Sequence, residues 1–306
     1  MALQLRRFES KTPGPHLLIT GGVHGDEYEP MVAVRRLISY FDRQHRLVKD
    51  FSGTVTLVPV VNEDAFRRGS RVGSDGLDLA RTCPGRPDGT ITERLAHSLS
   101  NLIREADYYI DLHTGGTSLS LLPLAGYMLH ADPEILNRQR AMAFAFNLSA
   151  IWGTVANLEG RSLSVARDAN VPAIYCEFGG AARCDAGGVE AYVDGCINVM
   201  GEVGIVACEH PTRRVKHFVE DPRPESGHLQ ICHPSPIAGF FEPKVDLGMQ
   251  VAKGSLIGRV INVLGDKKER VYSNTDGIVI CLRTLPSVKR GDSLAVVMEP
   301  QSLPPG

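Results

Sequence analysis

The sequence lacks features that would place the protein in a membrane or on a nucleic acid. No apolar run reaches the roughly 18–20 residues that a bilayer-spanning helix needs. The first ten residues contain no apolar stretch typical of a secretory signal. Because 33 basic residues face 35 acidic ones, the basic excess that attracts polyanions is also missing. We therefore expect a cytoplasmic protein with neither a membrane nor a nucleic-acid partner.

Cysteines show no pairing pattern either. There are seven of them, an odd number, and no two are spaced C-x-x-C. This usage predicts reduced thiols rather than a disulfide framework or a zinc site built on thiolates. The chain does have ample apolar material for a core, since 43% of its residues are hydrophobic.

Strand-like and helix-like segments alternate up to about residue 206. The β-branched run 54–61 is typical of a strand that is covered on both faces. Apolar residues at helical spacing predict helices over 30–43, 92–106, 132–147, 161–169 and 187–206. Strands separated by helices require crossover connections, so the pattern predicts an α/β fold with a mostly parallel sheet flanked by helices.

The pattern changes near residue 210. The segment 210–228 is polar and rich in proline, as linkers are, and short β-like pieces with turn residues follow it to the end of the chain. We therefore predict a larger α/β domain over 1–215 and a smaller all-β domain, sandwich- or barrel-like, over 216–306. That small domain could wall the mouth of a site or form a subunit contact, which leaves a homo-oligomer open.

Metal-ligating residue types follow two of the predicted strands. His24 and Glu27 stand three positions apart in GGVHGDE, directly after the strand 16–20, and His113 ends the strand in IDLHTGG. Two imidazoles and one carboxylate leave a fourth position on zinc for water, which is the catalytic arrangement. The alternatives are a loop His–Glu pair on the surface and a histidine that caps a strand.

Other polar residues stand at comparable places. Glu177 ends the strand 171–176 and suits a general base that takes a proton from water. Arg71 could polarise a scissile carbonyl, and Arg81 could bind a substrate carboxylate. The alternatives are that Glu177 forms a salt bridge and that the arginines belong to a solvated basic loop.

Together these segments resemble the succinylglutamate desuccinylase and aspartoacylase family, a branch of the zinc carboxypeptidase superfamily. The resemblance rests on HGDE, the loop that runs from Asn62 to Arg71, D-L-x-R-x-x-P-G, D-L-H-T-G and a late glutamate followed by two glycines. It implies a carboxypeptidase-like fold and one Zn²⁺ per chain, held by His24, Glu27 and His113. It also implies catalytic roles for Glu177 and Arg71, and substrate-binding roles for Arg81 and Asn62.

One position departs from the family pattern. The family commonly reads D-L-N-R, and its asparagine helps to hold the substrate carboxylate, whereas this chain has Ala80 there. The resemblance thus predicts an amide hydrolase that deacylates a small N-acyl amino acid or N-acyl amine, without naming its substrate. The alternatives are a carboxypeptidase that acts on short peptides and a metal-binding protein without turnover.

Overall fold

The computed structural model of the chain describes residues 3–209, 211–224, 226–229 and 231–304. Two residues of the predicted linker, His210 and Glu225, thus lie outside the described residues. The α-helices are α1 (Tyr28–Asp42), α2 (Glu63–Arg68), α3 (Ile91–Arg104), α4 (Pro133–Phe146), α5 (Ser162–Asp168) and α6 (Ala186–Glu202). A single 3-10 turn, Leu79–Arg81, lies between α2 and α3.

The strands number fifteen within the described residues. In the first part of the chain they are β1 (Arg6–Glu9), β2 (His16–Thr20), β3 (Thr54–Val58), β4 (Tyr108–His113), β5 (Leu119–Met128), β6 (Ala150–Thr154) and β7 (Ala173–Gly180). In the last part they are β8 (His217–Glu220), β9 (Gly239–Pro243), β10 (Gln250–Val251), β11 (Leu256–Ile261), β12 (Lys268–Tyr272), β13 (Gly277–Arg283), β14 (Ser287–Val288) and β15 (Ala295–Met298).

A large mixed sheet organises the molecule. Its central strands lie in the order β1-β3-β2-β4-β7-β5; β3, β2, β4 and β7 run parallel to one another, whereas β1 is antiparallel to β3. Strand β5 is antiparallel to β7 but parallel to β6, which in turn pairs with β8 in parallel. The prediction of a mixed, mostly parallel sheet flanked by helices is therefore confirmed.

Helices cover both faces of this sheet because its central strands are apolar on both sides. Along β2, Leu17 and Ile19 belong to one buried cluster and Leu18 belongs to another, as the two-residue period of a strand requires. The first cluster includes residues of α1, α4 and α6, and the second includes residues of α3 and α5. Each helix therefore buries an apolar stripe against the sheet.

Local signals explain where the helices begin. The side chain of Thr90 accepts a hydrogen bond from the backbone N–H of Glu93, and the Glu93 carboxylate accepts one from the N–H of Thr90. This capping box satisfies N–H groups at the start of α3 that have no partner inside the helix. Asp132 and Asp185 cap α4 and α6 through the same kind of side-chain hydrogen bond.

The C-terminal part of the chain is all β within the described residues and forms a second, four-stranded antiparallel sheet in the order β12-β11-β9-β14. Some of its strands also extend the large sheet, since β13 pairs with the first half of β5. Strand β8, beyond the predicted boundary at 215/216, pairs with β6. The domain boundary stays a prediction, while the pairing of β13 with β5 leaves only one strand between the C-terminal part and β7.

No helix in the described part of the chain has both the length and the apolarity that a membrane crossing requires.

Candidate metal centre and substrate cavity

Three neighbouring strands deliver the candidate site residues to one edge of the sheet. Strands β2, β4 and β7 are parallel and adjacent, so their carboxyl ends coincide. The loop after β2 carries His24 and Glu27, β4 ends at His113, and Glu177 stands opposite His113 in the β4–β7 register. Open α/β sheets bind ligands at this edge.

His24, Glu27 and His113 form a compact buried cluster. Their ligand atoms lie within 4.8 Å of one another. Glu27 stands between the two rings: its Oε1 lies 2.8 Å from His24 Nδ1, and its Oε2 lies 3.1 Å from His113 Nδ1. Burial disfavours a charge on Glu27, yet the two imidazoles lower the pKa of its carboxyl well below the usual range.

The outer nitrogen of each ring faces a second carboxylate. His24 Nε2 lies 3.0 Å from Asp78 Oδ1, and His113 Nε2 lies 3.1 Å from Asp111 Oδ2. Both aspartates have pKa values below the ordinary range, because charged and hydrogen-bonding partners outweigh their burial, so both accept the Nε2 proton. A neutral ring therefore keeps its lone pair on Nδ1, facing Glu27.

This arrangement fits a metal ion. A cation bound between the two Nδ1 atoms and Glu27 would take the place of the ring protons that otherwise hold these groups together, and carboxylates on the outer nitrogens are how proteins orient metal-binding histidines. Two imidazole nitrogens and a carboxylate are a donor set that zinc accepts, with one position left open. Asp111 stands two residues before His113 on the same strand, β4. Its carboxylate lies against the His113 ring and also accepts a hydrogen bond from Thr20 Oγ1.

The loop that carries His24 is packed too tightly to vary. A Cβ atom on Gly25 would lie 2.0 Å from the carbonyl carbon of Ala65, so only glycine fits against α2. Asn62 begins that helix: its Oδ1 accepts a hydrogen bond from the backbone N–H of Ala65, and its own N–H donates to Gly22. Asn62 is fully buried and does not line the cavity. The structure thus brings its side chain to the helix, and its substrate-binding role stays a prediction.

Glu177 lies at the cluster without a hydrogen-bond partner for one of its oxygens. Within the described residues, Oε2 is buried and unpaired. Burial, together with the negative charge of Glu27, raises the pKa of Glu177 to about 8, against the opposing effect of His113. A buried carboxyl group beside a metal cluster is well suited to carry a proton during a reaction.

A cavity opens next to the cluster and encloses about 750 Å³ of empty space, including its opening to solvent. Arg71 and Arg81 line it, as do Glu177 and the three residues of the cluster. The Arg71 guanidinium bonds Asp78 through Nε at 3.1 Å and lies 3.7 Å from Glu27 Oε1, so it reaches the cluster of His24, Glu27 and His113. Burial lowers the pKa of Arg81, and the nearby Arg71 charge lowers it further.

Arg161 is a candidate residue that the sequence analysis missed. It lines the cavity directly before α5, and its Nε and Nη2 are buried without a hydrogen-bond partner among the described residues. Burial and the neighbouring Arg81 charge lower its pKa to about 10. Buried guanidinium donors normally have partners, so this one is arranged to receive an anion. The only trace in the sequence is a basic residue between the apolar Leu158 and Leu163.

Comparison with known proteins identifies the family. A protein-family model described as "Succinylglutamate desuccinylase/Aspartoacylase catalytic domain" matches residues 13–202. The chain belongs to the succinylglutamate desuccinylase/aspartoacylase family. It is 29% identical over 301 residues to the N-alpha-acetyl-L-2,4-diaminobutyric acid deacetylase of Halomonas elongata, a match that covers 94% of this chain and 82% of the relative.

Solved structures of family members share the whole architecture. A product-bound structure of the ectoine utilization protein EutE (DoeB) from Ruegeria pomeroyi superposes with a TM-score of 0.85 at 31% identity, covering 96% of this chain and 87% of that one. A succinylglutamate desuccinylase/aspartoacylase from Rhodobacter sphaeroides superposes with a TM-score of 0.84 at 28% identity, covering 97% and 89%. Because nearly the whole chain is covered, the likeness extends beyond the family's catalytic domain into the C-terminal β region.

The position at which the chain departs from the family pattern lies in this cavity. Ala80 lines it, and its backbone N–H donates a hydrogen bond to Asp78 Oδ1. The methyl group offers no hydrogen bond to a substrate. Any polar recognition that a family asparagine would supply here has to come from other side chains of the cavity. Arg81 is the next residue in the chain, and Arg161 also lines the cavity, near enough to Arg81 for that charge to lower its pKa.

Proposed function

We propose that the protein is a zinc-dependent deacylase that hydrolyses the amide bond of a small N-acyl amino acid. The observation that carries the proposal is the convergence of His24 Nδ1, Glu27 and His113 Nδ1 beside the unpaired carboxylate of Glu177. Membership of the family and the names of its relatives support deacylation as the reaction. One metal ion per chain would be held by the three cluster residues.

Zinc bound at this cluster would act as a Lewis acid that makes water nucleophilic near neutral pH. Glu177 takes a proton from the attacking water as its oxygen bonds to the amide carbon. The same carboxyl then gives the proton to the leaving nitrogen as the C–N bond breaks, which yields a carboxylic acid and an amine. Burial raises the pKa of this carboxyl and so favours the protonated state that the second transfer needs.

The arginines divide between the reacting carbonyl and the rest of the substrate. Arg71 lies 3.7 Å from Glu27, close enough to the cluster for its guanidinium to stabilise negative charge on the carbonyl oxygen. Arg161, with two unpaired buried nitrogens, is the best-placed group for the substrate carboxylate, and Arg81 adds positive charge beside it. A carboxylate bound by a guanidinium gains two parallel hydrogen bonds.

The test is a deacylation screen on zinc-loaded protein, with products identified by mass, together with Glu177→Gln. The variant should keep about one zinc per chain and lose at least about 100-fold in kcat, because the proton carrier is gone. Glu105→Gln, on an exposed glutamate that pairs with Arg7 and does not line the cavity, is the matched control and should keep full activity.

Each outcome separates the proposal from its rivals. Full activity in Glu177→Gln would contradict the mechanism, and failure to bind zinc when it is supplied would contradict the site. Cleavage of dipeptides in preference to N-acyl amino acids would favour a carboxypeptidase instead. A protein that binds zinc but turns over none of these compounds would favour a metal-binding role.

A further inference from the structure

Beyond the His24–Glu27–His113 cluster, the cavity has an apolar wall beside polar lining residues such as Arg161, Thr154 and Tyr175. The lining of the cavity includes the side chains of Leu121, Met128, Leu158, Leu163 and Leu229, each at most 7% exposed. Leu121 and Leu229 belong to one buried cluster, and the other three belong to the cluster under α3 and α5. Because both clusters are packed as protein interiors are, this apolar wall is already formed before a ligand arrives.

The charged groups of the cavity are unevenly distributed. Its lining has three arginines, at 71, 81 and 161, whereas its carboxylates are Glu27, Asp111 and Glu177. All three carboxylates lie at the metal cluster, where Glu27 and Asp111 already contact His113. Glu177 has an oxygen without a partner among the described residues, but it is in register with His113 on the neighbouring strand and so belongs to the cluster end of the cavity. A substrate ammonium group placed against the apolar wall would lose water beside arginines without gaining a counter-charge.

The position of Arg161 indicates which part of a substrate meets the apolar wall. Leu158 and Leu163 stand three residues before and two residues after Arg161, and all three line the cavity. In an N-acyl amino acid, the carboxylate and the side chain share the α-carbon. A carboxylate bound at Arg161 therefore brings the side chain of the substrate against these leucines, while the acyl group points back toward the metal cluster.

We infer that the preferred substrate is an N-acyl amino acid with an apolar side chain, selected by the wall of Leu158, Leu163 and Met128. This inference rests on the proposed deacylase function and narrows its substrate class. It distinguishes this chain from the Halomonas elongata relative, whose name specifies a diamino acid substrate. At the end of the substrate side chain, the wall accepts a methyl group and disfavours an ammonium group.

The experiment compares two substrates that differ only in that group. N-acetyl-L-norvaline ends in a methyl group where Nα-acetyl-L-2,4-diaminobutyrate ends in an ammonium group. On zinc-loaded protein, kcat/KM for the norvaline compound should be at least about 100-fold higher. Each tenfold difference in kcat/KM corresponds to only about 1.4 kcal/mol, which the cost of desolvating an unpaired ammonium group readily supplies. Equal or faster hydrolysis of the diaminobutyrate compound, or of N-acetyl-L-aspartate, would overturn the inference and leave the deacylase function intact.

A binding measurement separates this inference from the proposed function. Calorimetry with the free amino acids should detect tighter binding of L-norvaline than of L-2,4-diaminobutyrate, whether or not the protein turns over either acetyl compound. If norvaline binds more tightly but neither compound is hydrolysed, the deacylase function fails while the apolar subsite stands. If diaminobutyrate binds as tightly as norvaline, the apolar subsite fails.

Substitutions in the wall test which residues select. Leu158→Asp supplies a counter-charge and should raise kcat/KM for the diaminobutyrate compound by about 10-fold or more. The uncharged Leu158→Asn should lower kcat/KM for the norvaline compound without raising it for the diaminobutyrate compound. Met128→Glu and Met128→Gln make the same comparison from β5, in case the first pair does not fold. The absence of any gain in both charged variants, with melting temperatures near that of the parent, would refute the assignment.

Discussion

Replacing the carboxylates behind the two histidines should weaken metal binding without touching a ligand. Asp111→Asn and Asp78→Asn keep the shape of the side chain and remove its charge. Each aspartate accepts from an outer ring nitrogen, at 3.1 Å for Asp111 and 3.0 Å for Asp78. Losing such a partner typically costs about 10- to 100-fold in metal affinity, because the ring becomes less basic and less firmly oriented.

The structure also predicts the order of the two effects. The Asp111 side chain is 1% exposed and that of Asp78 is 23% exposed, so water screens the second contact more than the first. Asp111 in addition accepts hydrogen bonds from Thr20 and Ser162, which hold it against the ring. We therefore expect about 100-fold weaker binding for Asp111→Asn and about 10-fold for Asp78→Asn.

Competition with a chromogenic zinc chelator measures these affinities directly. Asp107→Asn is a matched control, because Asp107 lies only four residues before Asp111 but accepts from the backbone N–H of His16, outside the site. Its zinc affinity should equal that of the parent. Affinities within twofold of the parent for both test variants, or a larger loss at Asp78 than at Asp111, would refute the reasoning.

Three further predictions concern metal removal, backbone strain and a buried charge network. A chelator should abolish hydrolysis and lower the melting temperature, and zinc should restore both, because a ligand of the folded state stabilises it. Ala181 and Ala182 have φ values of 57° and 56°, so glycine at either should raise the free energy of unfolding in urea by about 0.5–1 kcal/mol, whereas Ala191→Gly inside α6 should lower it by about 1 kcal/mol. Glu220→Gln should cost about 1–2 kcal/mol at pH 7, because Glu220 pairs with the Arg140 guanidinium at 2.7 Å. Burial opposes that pairing, but the Arg140 hydrogen bonds hold the pKa of Glu220 below 4.5; its stabilisation is therefore present above pH 4.5, and the difference between parent and variant should shrink as the pH falls below that value.

The helices were predictable because their periodic apolar faces are local properties. The predicted helix over 92–106 is observed as Ile91–Arg104, and the one over 132–147 as Pro133–Phe146. Strand β5 was not predicted. Its sequence LSLLPLAGYM contains a proline and lacks a clear alternation, because its first half pairs with β13 and its second half with β6. Its conformation thus depends on strands distant in the sequence.

The candidate metal cluster was predictable for a different reason. His24, Glu27 and His113 each follow or end a recognisable strand, and parallel strands carry such residues to the same edge. What the sequence could not tell is that β2, β4 and β7 are neighbours, in that order. Without that order, Glu177 could have stood several strands away from the histidines. The adjacency is a property of the whole sheet, and it is what turns separate motifs into one site.

The groups that select a substrate depend even more on the fold. Arg161 precedes a short helix, Leu121 lies on β5, and Leu229 comes from the segment after β8, so no spacing in the sequence connects them. These residues come together because β5 pairs with β7 in the antiparallel direction and β13 pairs with the other edge of β5. A family can therefore keep its strand-end ligands, and with them its reaction, while loops and later strands change the wall of the cavity. In this chain, the family's chemistry and its own substrate preference should accordingly be separable by mutation: changes at Leu158 should alter which amide is cleaved, and changes at Glu177 should alter whether any is.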